Sequence, residues 1–219
     1  MPRVEADYND SCDMRGIRLR INSDANLQDL LDAWQPLCDH TAFTKQYASN
    51  SDQSCRACTH NCCDTAYVIP DLIALKKMAA YLGISPKELA DTYFQPEKRA
   101  IGLLRMLPNP CVFLKDRLCS IYPVRSLICR FYLCAALEGS TEELIYHISS
   151  TGMAATHVFA RETGILQSPA GAVSSMDRLF LELFDRYAAD PGLEHFLRAR
   201  DYCDIPLKPF LDSAGFISK

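Results

Sequence analysis

Eight of the eleven cysteines in this 219-residue chain fall in two groups. The first reads Cys55-Arg-Ala-Cys58-Thr-His-Asn-Cys62-Cys63, and the second comprises Cys111, Cys119, Cys129 and Cys134. A thiolate is a soft, charged ligand, and bunched thiols repel and oxidise unless something binds them. A chain that gathers them must fold around whatever holds them. The grouping points to a metal or iron–sulfur site. The expected fold class is mainly α, a helical domain with a small β-hairpin organised around a cysteine-ligated metal centre.

The bulk properties narrow the setting. A hydrophobic fraction of 48% allows an ordinary core. The net charge is −4 and no long basic run occurs, which argues against nucleic acid held by phosphate contacts. The first residues, MPRVEADYND, lack the apolar stretch of a secretory signal, and no window approaches a membrane span. The expectation is a cytoplasmic chain without a membrane partner, where thiols stay reduced. An odd cysteine count also fits poorly with a fully paired disulfide framework.

Periodicity and breakers predict the elements. Residues 1–23 are polar and mixed and read as a loose arm or a short strand at Gly16 to Ile21. Ser23-Asp24 is expected to cap a helix through Leu27, Leu30, Leu31 and Trp34, with Leu37 beyond Pro36. Pro70 suits the first turn of a helix that carries Leu72, Leu75, Met78, Ala79 and Leu82 and stops at Gly83. Ser85 and Glu88 make a capping box for the next helix. Cys111 to Tyr122 reads as a hairpin with its turn at Lys115-Asp116-Arg117, and Pro123 starts a helix through Val124, Leu127, Ile128 and Phe131. Glu142 to Ile148 fits either a strand or a helix. Ser174 to Tyr187 is an amphipathic helix, and Pro191 to Leu197 a shorter one. The organisation follows as an N-terminal arm and helix over 1–49, a cysteine-cluster metal-binding domain over 50–135, and a helical C-terminal extension over 136–219 packed on the same core.

Within the first group, Cys55 and Cys58 have the spacing that presents two sulfurs to one metal. Cys62 follows four residues later, on the same face if the segment is helical. Adjacent Cys62 and Cys63 point apart in strand or helix, so they do not readily fill two corners of one tetrahedron. One ligates while the other packs, or each serves a different metal, or one bridges two. In the second group, Cys111 and Cys119 stand at the two ends of the hairpin as cross-strand neighbours, and Cys129 on the next helix closes the site. Arg56, Arg125 and Arg130, with Lys115 and Arg117 on the turn, offset the thiolate charge.

The ordered set Cys55-x2-Cys58-x3-Cys62-Cys63, Cys111-Val-Phe-Leu, Cys119-Ser-Ile-Tyr122, Arg125 and Cys129-Arg130 resembles the YkgJ-type cysteine cluster proteins, also described as the CxxCxxCC zinc- or iron-chelating domain. The resemblance covers roughly residues 50–135, including Asp71-Leu72 and the Leu82-Gly83-Ile84-Ser85 turn. It implies binding of zinc or iron, including the [4Fe-4S] form. The family includes a domain related to part of flagellin lysine N-methylase. Three departures stand out. Three residues rather than two separate Cys58 from Cys62. Ser126 follows Arg125 where the family usually has proline. Cys134 extends the usual cysteine set.

The candidate metal ligands are therefore Cys55, Cys58, Cys62, Cys63, Cys111, Cys119, Cys129 and Cys134, with His60 in reserve. Cys12, Cys38 and Cys203 are isolated and read as unligated thiols. His147 and His157 read as structural or exposed. Phe113 and Tyr122 read as packing around the hairpin. The leading function is a metal-binding protein with a cysteine-ligated zinc or iron site or an iron–sulfur cluster. The alternatives are an iron–sulfur-dependent protein lysine methyltransferase-like enzyme, which the resemblance alone supports, and a metal-stabilised module for a protein partner. No phosphate loop, dinucleotide fingerprint or nucleophile triad competes with these readings.

Overall fold

A computed structural model describes residues 2–10, 15–39, 62–64, 67–133, 135–167 and 172–213. The chain is mainly helical with two small antiparallel hairpins. It divides into two compact units. One comprises Met1–Asn61, Arg130–Ile148 and Ala199–Lys219, the other Cys62–Cys129 and Ser149–Arg198.

In the first unit, β1 (Val4–Asp10) pairs with β2 (Arg15–Ile21), in register from Val4↔Ile21 to Asp10↔Arg15. Of the two readings of residues 16–21, the strand is the one found, and residues 4–10 before it form a second strand. Its period of two explains why: Val4 is buried, while Glu5 and Asp7 face outward and pair with Arg20. Gly16 permits a close approach, since a Cβ there would lie 2.7 Å from the Leu137 carbonyl carbon. The Ile17 N–H donates to the Ala136 carbonyl at 2.9 Å, and buried Glu138 accepts from Arg18 at 3.0 Å.

Helix α1 (Leu27–Asp39) is capped by Asn26, just beyond the expected Ser23-Asp24. The Asn26 side chain accepts from the Asp29 N–H at 3.0 Å, and the Asp29 carboxylate accepts from the Asn26 N–H at 2.9 Å. This reciprocal pair satisfies two donors where Ser23-Asp24 would lie too far from the helix. Pro36 sits inside the helix, which continues because Leu27, Leu30, Leu31, Trp34 and Cys38 share a buried face. Trp34 meets Phe131 edge to face at 5.7 Å.

The second unit holds α2 (Leu72–Leu82), α3 (Pro86–Tyr93), α4 (Pro96–Ala100), α7 (Ser175–Tyr187) and α8 (Leu193–Arg198). Between them fall β3 (Leu114–Lys115), β4 (Leu118–Cys119) and two helices, α5 (Leu127–Phe131) and α6 (Gly139–Glu162), that contribute residues to both units. Gly83 ends α2 in the left-handed region as expected, and the Ser85–Glu88 capping box is formed. Pro70, however, precedes the helix: Asp71 is the cap, its carboxylate accepting the Ala74 N–H at 2.9 Å. The ambiguous segment 142–148 is helical, part of the 24-residue α6. Its Leu144, Ile145 and Ile148 are buried, the spacing of a helix face. Helix α9 (Lys208–Ser213) closes the described chain. Among the described residues, no helix is long and apolar enough to cross a membrane.

One ion pair anchors α7. Asp177 is buried and receives the Lys98 ammonium on both oxygens, at 2.9 and 2.8 Å, and the Ser174 hydroxyl at 2.5 Å. Burial pushes the Asp177 carboxyl up, but the Lys98 and Ser174 hydrogen bonds and the Lys98 charge outweigh it and hold the group below its ordinary range. Tyr67 stacks on Phe180 at 4.5 Å, and burial followed by the Asp177 charge pushes its phenol up to about 12. The unfolded chain therefore takes a proton at Asp177 before the folded one does. This stabilisation is complete above the unfolded carboxyl value of about 3.9 and is lost as pH falls through the lower folded value. We predict that Asp177→Asn lowers stability near neutral pH by about 2 kcal/mol and flattens the loss of stability below pH ~4. Urea midpoints measured against pH check this, and an unchanged acid slope would refute the linkage.

Candidate metal centre

The cysteine region is built by backbone hydrogen bonds. Cys62–Asp64 forms a single 3-10 turn, with Cys63 half-buried and Asp64 exposed. The Cys111 N–H donates to the Cys63 carbonyl at 2.7 Å. This bond ties the end of the first cysteine group to the start of the second, across 48 residues of chain. A cis Asn109–Pro110 bond leads into Cys111, whose carbonyl accepts from the Leu114 N–H at 2.8 Å.

The hairpin is present, but its pairing corrects the sequence expectation. Asp116 and Arg117 form the two-residue loop, both with positive φ, 48° and 63°. That geometry matches the right-handed twist of the flanking strands. It sets Lys115 opposite Leu118 and Leu114 opposite Cys119. Cys111 is thus not the cross-strand neighbour of Cys119, because a tight loop places the register three residues away from it. The Ser120 N–H and hydroxyl both donate to the Phe113 carbonyl, at 2.8 and 2.9 Å. Phe113 is buried and stacks on Tyr93 at 4.9 Å, as packing around the hairpin requires.

The helix expected from Pro123 is broken in two. A 3-10 turn covers Tyr122–Val124, Arg125 is extended at φ −60° and ψ 152°, and α5 begins at Leu127. The break has a physical cause in Asp71. One oxygen of its carboxylate caps α2, and the other accepts the Leu127 N–H at 2.8 Å, which starts α5 afresh. Asp71 is almost wholly buried, and a buried carboxylate is tolerated when backbone donors face it. Arg125 is buried as well, with its guanidinium 3.6 Å from the Tyr122 ring centre and a hydrogen bond to the Tyr122 carbonyl at 3.1 Å.

Cys129 lies on α5 in the position third from its start. Its N–H donates to the Ser126 carbonyl at 3.0 Å, and the Ser126 hydroxyl donates to its sulfur at 3.4 Å. Ser126 is fully buried. Glycine is required nearby: a Cβ at Gly152 of α6 would lie 2.7 Å from the Asp71 Cβ and 3.1 Å from the Phe196 ring. One turn on, the Thr156 hydroxyl donates to the Pro70 carbonyl at 2.8 Å.

Cys63, Cys111, Cys119 and Cys129 all lie in the second unit, each half-buried. The side chain of Cys62, and Cys55, Cys58, Cys134 and His60 entirely, lie outside the described residues. Among the described residues, no group of three or more His, Cys, Asp or Glu side chains is placed to hold a metal. The donor chemistry fits a soft cation: four half-buried thiols in one unit, with a hydroxyl donating to one of the sulfurs. Of the isolated cysteines, Cys38 is buried and its thiol donates to the Arg130 carbonyl at 3.4 Å, Cys203 is exposed, and Cys12 is outside the described residues. His157 packs against Phe184 at 5.1 Å and His147 against Phe210 at 5.5 Å, structural positions for both.

Residues 54–150 match the CxxCxxCC family, described as "Putative zinc- or iron-chelating domain". This stretch carries a CxxCxxCC domain. It takes in the cysteine groups, Asp71, Ser126 and the start of α6 through residue 150. No curated protein and no solved structure matches the chain.

Sequence reasoning missed the double role of Asp71, the hydroxyl of Ser126 and the need for Gly152. An acidic residue just before an apolar run is a cap signal, and a glycine inside a helical run marks close packing. Those two signals were available. We predict that Gly152→Ala destabilises the protein. Alanine gains about 1 kcal/mol of helix propensity, but the clash with the Asp71 Cβ costs about 1–3 kcal/mol. Asp71→Ala removes a cap and leaves the buried Leu127 N–H unpaired, at about 3 kcal/mol. Denaturant unfolding of both variants measures these losses, and a stabilised Gly152→Ala protein would show that the approach is not tight.

Proposed function

We propose that the CxxCxxCC domain chelates zinc or iron through cysteine thiolates, drawn from Cys55, Cys58, Cys62, Cys63, Cys111, Cys119 and Cys129, with Cys134 as a further ligand. The observation that supports this reading is the 2.7 Å bond from the Cys111 N–H to the Cys63 carbonyl, which joins the last residue of the first cysteine group to the first residue of the second. The adjacent Cys62-Cys63 pair and the number of thiols favour more than one four-coordinate ion, so two metals or an iron–sulfur cluster account for the set better than a single zinc. Bound zinc would supply structural closure; bound iron would add electron transfer. Asp71 and Ser126 hold the helix that bears Cys129, whichever metal is bound.

Anaerobic purification followed by metal and sulfide analysis and visible absorption tests the reading. A brown protein containing iron and acid-labile sulfide would establish the cluster form, and a colourless protein with stoichiometric zinc the structural form. We predict that Cys111→Ser and Cys129→Ser each lower metal content by at least about half, since one lost ligand of four weakens a soft site strongly. Wild-type metal content in both variants would refute the ligand set. Binding of S-adenosylmethionine to the metal-loaded chain would redirect the reading toward a methyltransferase-like enzyme.

A further inference from the structure

A serine at the start of a helix ordinarily turns its hydroxyl oxygen inward to accept a backbone N–H from the first turn. Ser126 stands in that position before α5, yet the structure gives its hydroxyl a different partner. The Leu127 N–H is taken by the Asp71 carboxylate at 2.8 Å. The Cys129 N–H is taken by the Ser126 carbonyl at 3.0 Å. With the carboxylate acting as the outside cap, the Ser126 hydroxyl is released to donate to the Cys129 sulfur at 3.4 Å.

Ser126 is fully buried and Cys129 half-buried, so the hydroxyl end of this bond is shielded from competing water. A hydroxyl donated to a neutral thiol is a weak contact. Donated to a thiolate it is charge-assisted and roughly twice as strong as a neutral pair. The arrangement therefore suits an anionic, ligating Cys129. It also draws electron density from the sulfur, which is how a neighbouring donor tunes a metal-bound thiolate.

We propose that Ser126 is a positioning residue that tunes the metal-bound thiolate of Cys129 by hydrogen bonding, with Asp71 freeing its hydroxyl for that purpose. The proposal rests on the reading of Cys129 as a metal ligand, and the two are tested apart. The full chain is stripped of resident metal, loaded anaerobically with cobalt(II), and followed by its sulfur-to-cobalt charge-transfer absorption. Ser126→Ala removes the donor and should shift that band to lower energy while cobalt stoichiometry stays at the wild-type value. Ser126→Pro, compatible with the extended Arg125 before it, should shift the band in the same direction. Cys129→Ser should cut the band's intensity. If Cys129→Ser leaves the cobalt spectrum unaltered, Cys129 is no ligand, and both the ligand assignment and this proposal fall. If Cys129→Ser cuts the band but neither Ser126 variant moves it, the ligand stands and the tuning role is overturned. Circular dichroism confirms that each variant compared is folded.

Discussion

The cysteine-bearing half of this protein depends on a single buried carboxylate. Asp71 accepts one backbone N–H at the start of α2 and another at the start of α5, the second from Leu127, 56 residues beyond Asp71 in the chain. A helix start carries unpaired donors and a partial positive charge, and two of them together offset the cost of burying an anion. The same bond that begins α5 ends the extended stretch at Arg125, and so decides where Cys129 falls within its helix. Gly152 makes the arrangement possible by leaving room beside the Asp71 Cβ, and Thr156 binds the carbonyl of the residue before it. One carboxylate thereby links two helices and a proposed ligand position.

A second constraint is the tight loop at Asp116-Arg117. Holding an arginine at positive φ is sterically costly, and the hairpin accepts that cost for the twist it matches. The loop length then dictates which residues face each other, and Leu114 rather than Cys111 falls opposite Cys119. Cys111 finds its neighbour instead through its backbone, at the Cys63 carbonyl. Cys63 and Cys111 thus meet through a main-chain bond rather than through a cross-strand pair.

Local signals were legible where the partners lie within a few residues. The Ser85–Glu88 capping box and the left-handed Gly83 each involve groups three or four residues apart, and each is found where the sequence places it. Legibility failed where competing local choices existed. Pro70 and Asp71 both suit a helix start, and Ser23, Asp24 and Asn26 all resemble caps. The winner in each case was the residue whose side chain reached the right N–H, at Ala74 and at Asp29. The strand β1 was hidden because its alternation is carried by small and charged residues rather than by large apolar ones.

The sequence by itself determined the mainly helical character, the hairpin around residue 116 and the ordered cysteines that mark residues 54–150, because periodicity, caps and ligand spacing are properties of neighbouring residues. Only the tertiary structure decided that the helix after Pro123 breaks at Arg125, that Cys63 and Cys111 share a hydrogen bond, and that the Ser126 hydroxyl turns to sulfur. Each of those outcomes depends on a group brought from far along the chain, an Asp71 oxygen or the Cys63 carbonyl. A linear pattern does not contain a distance between residues that only folding brings together.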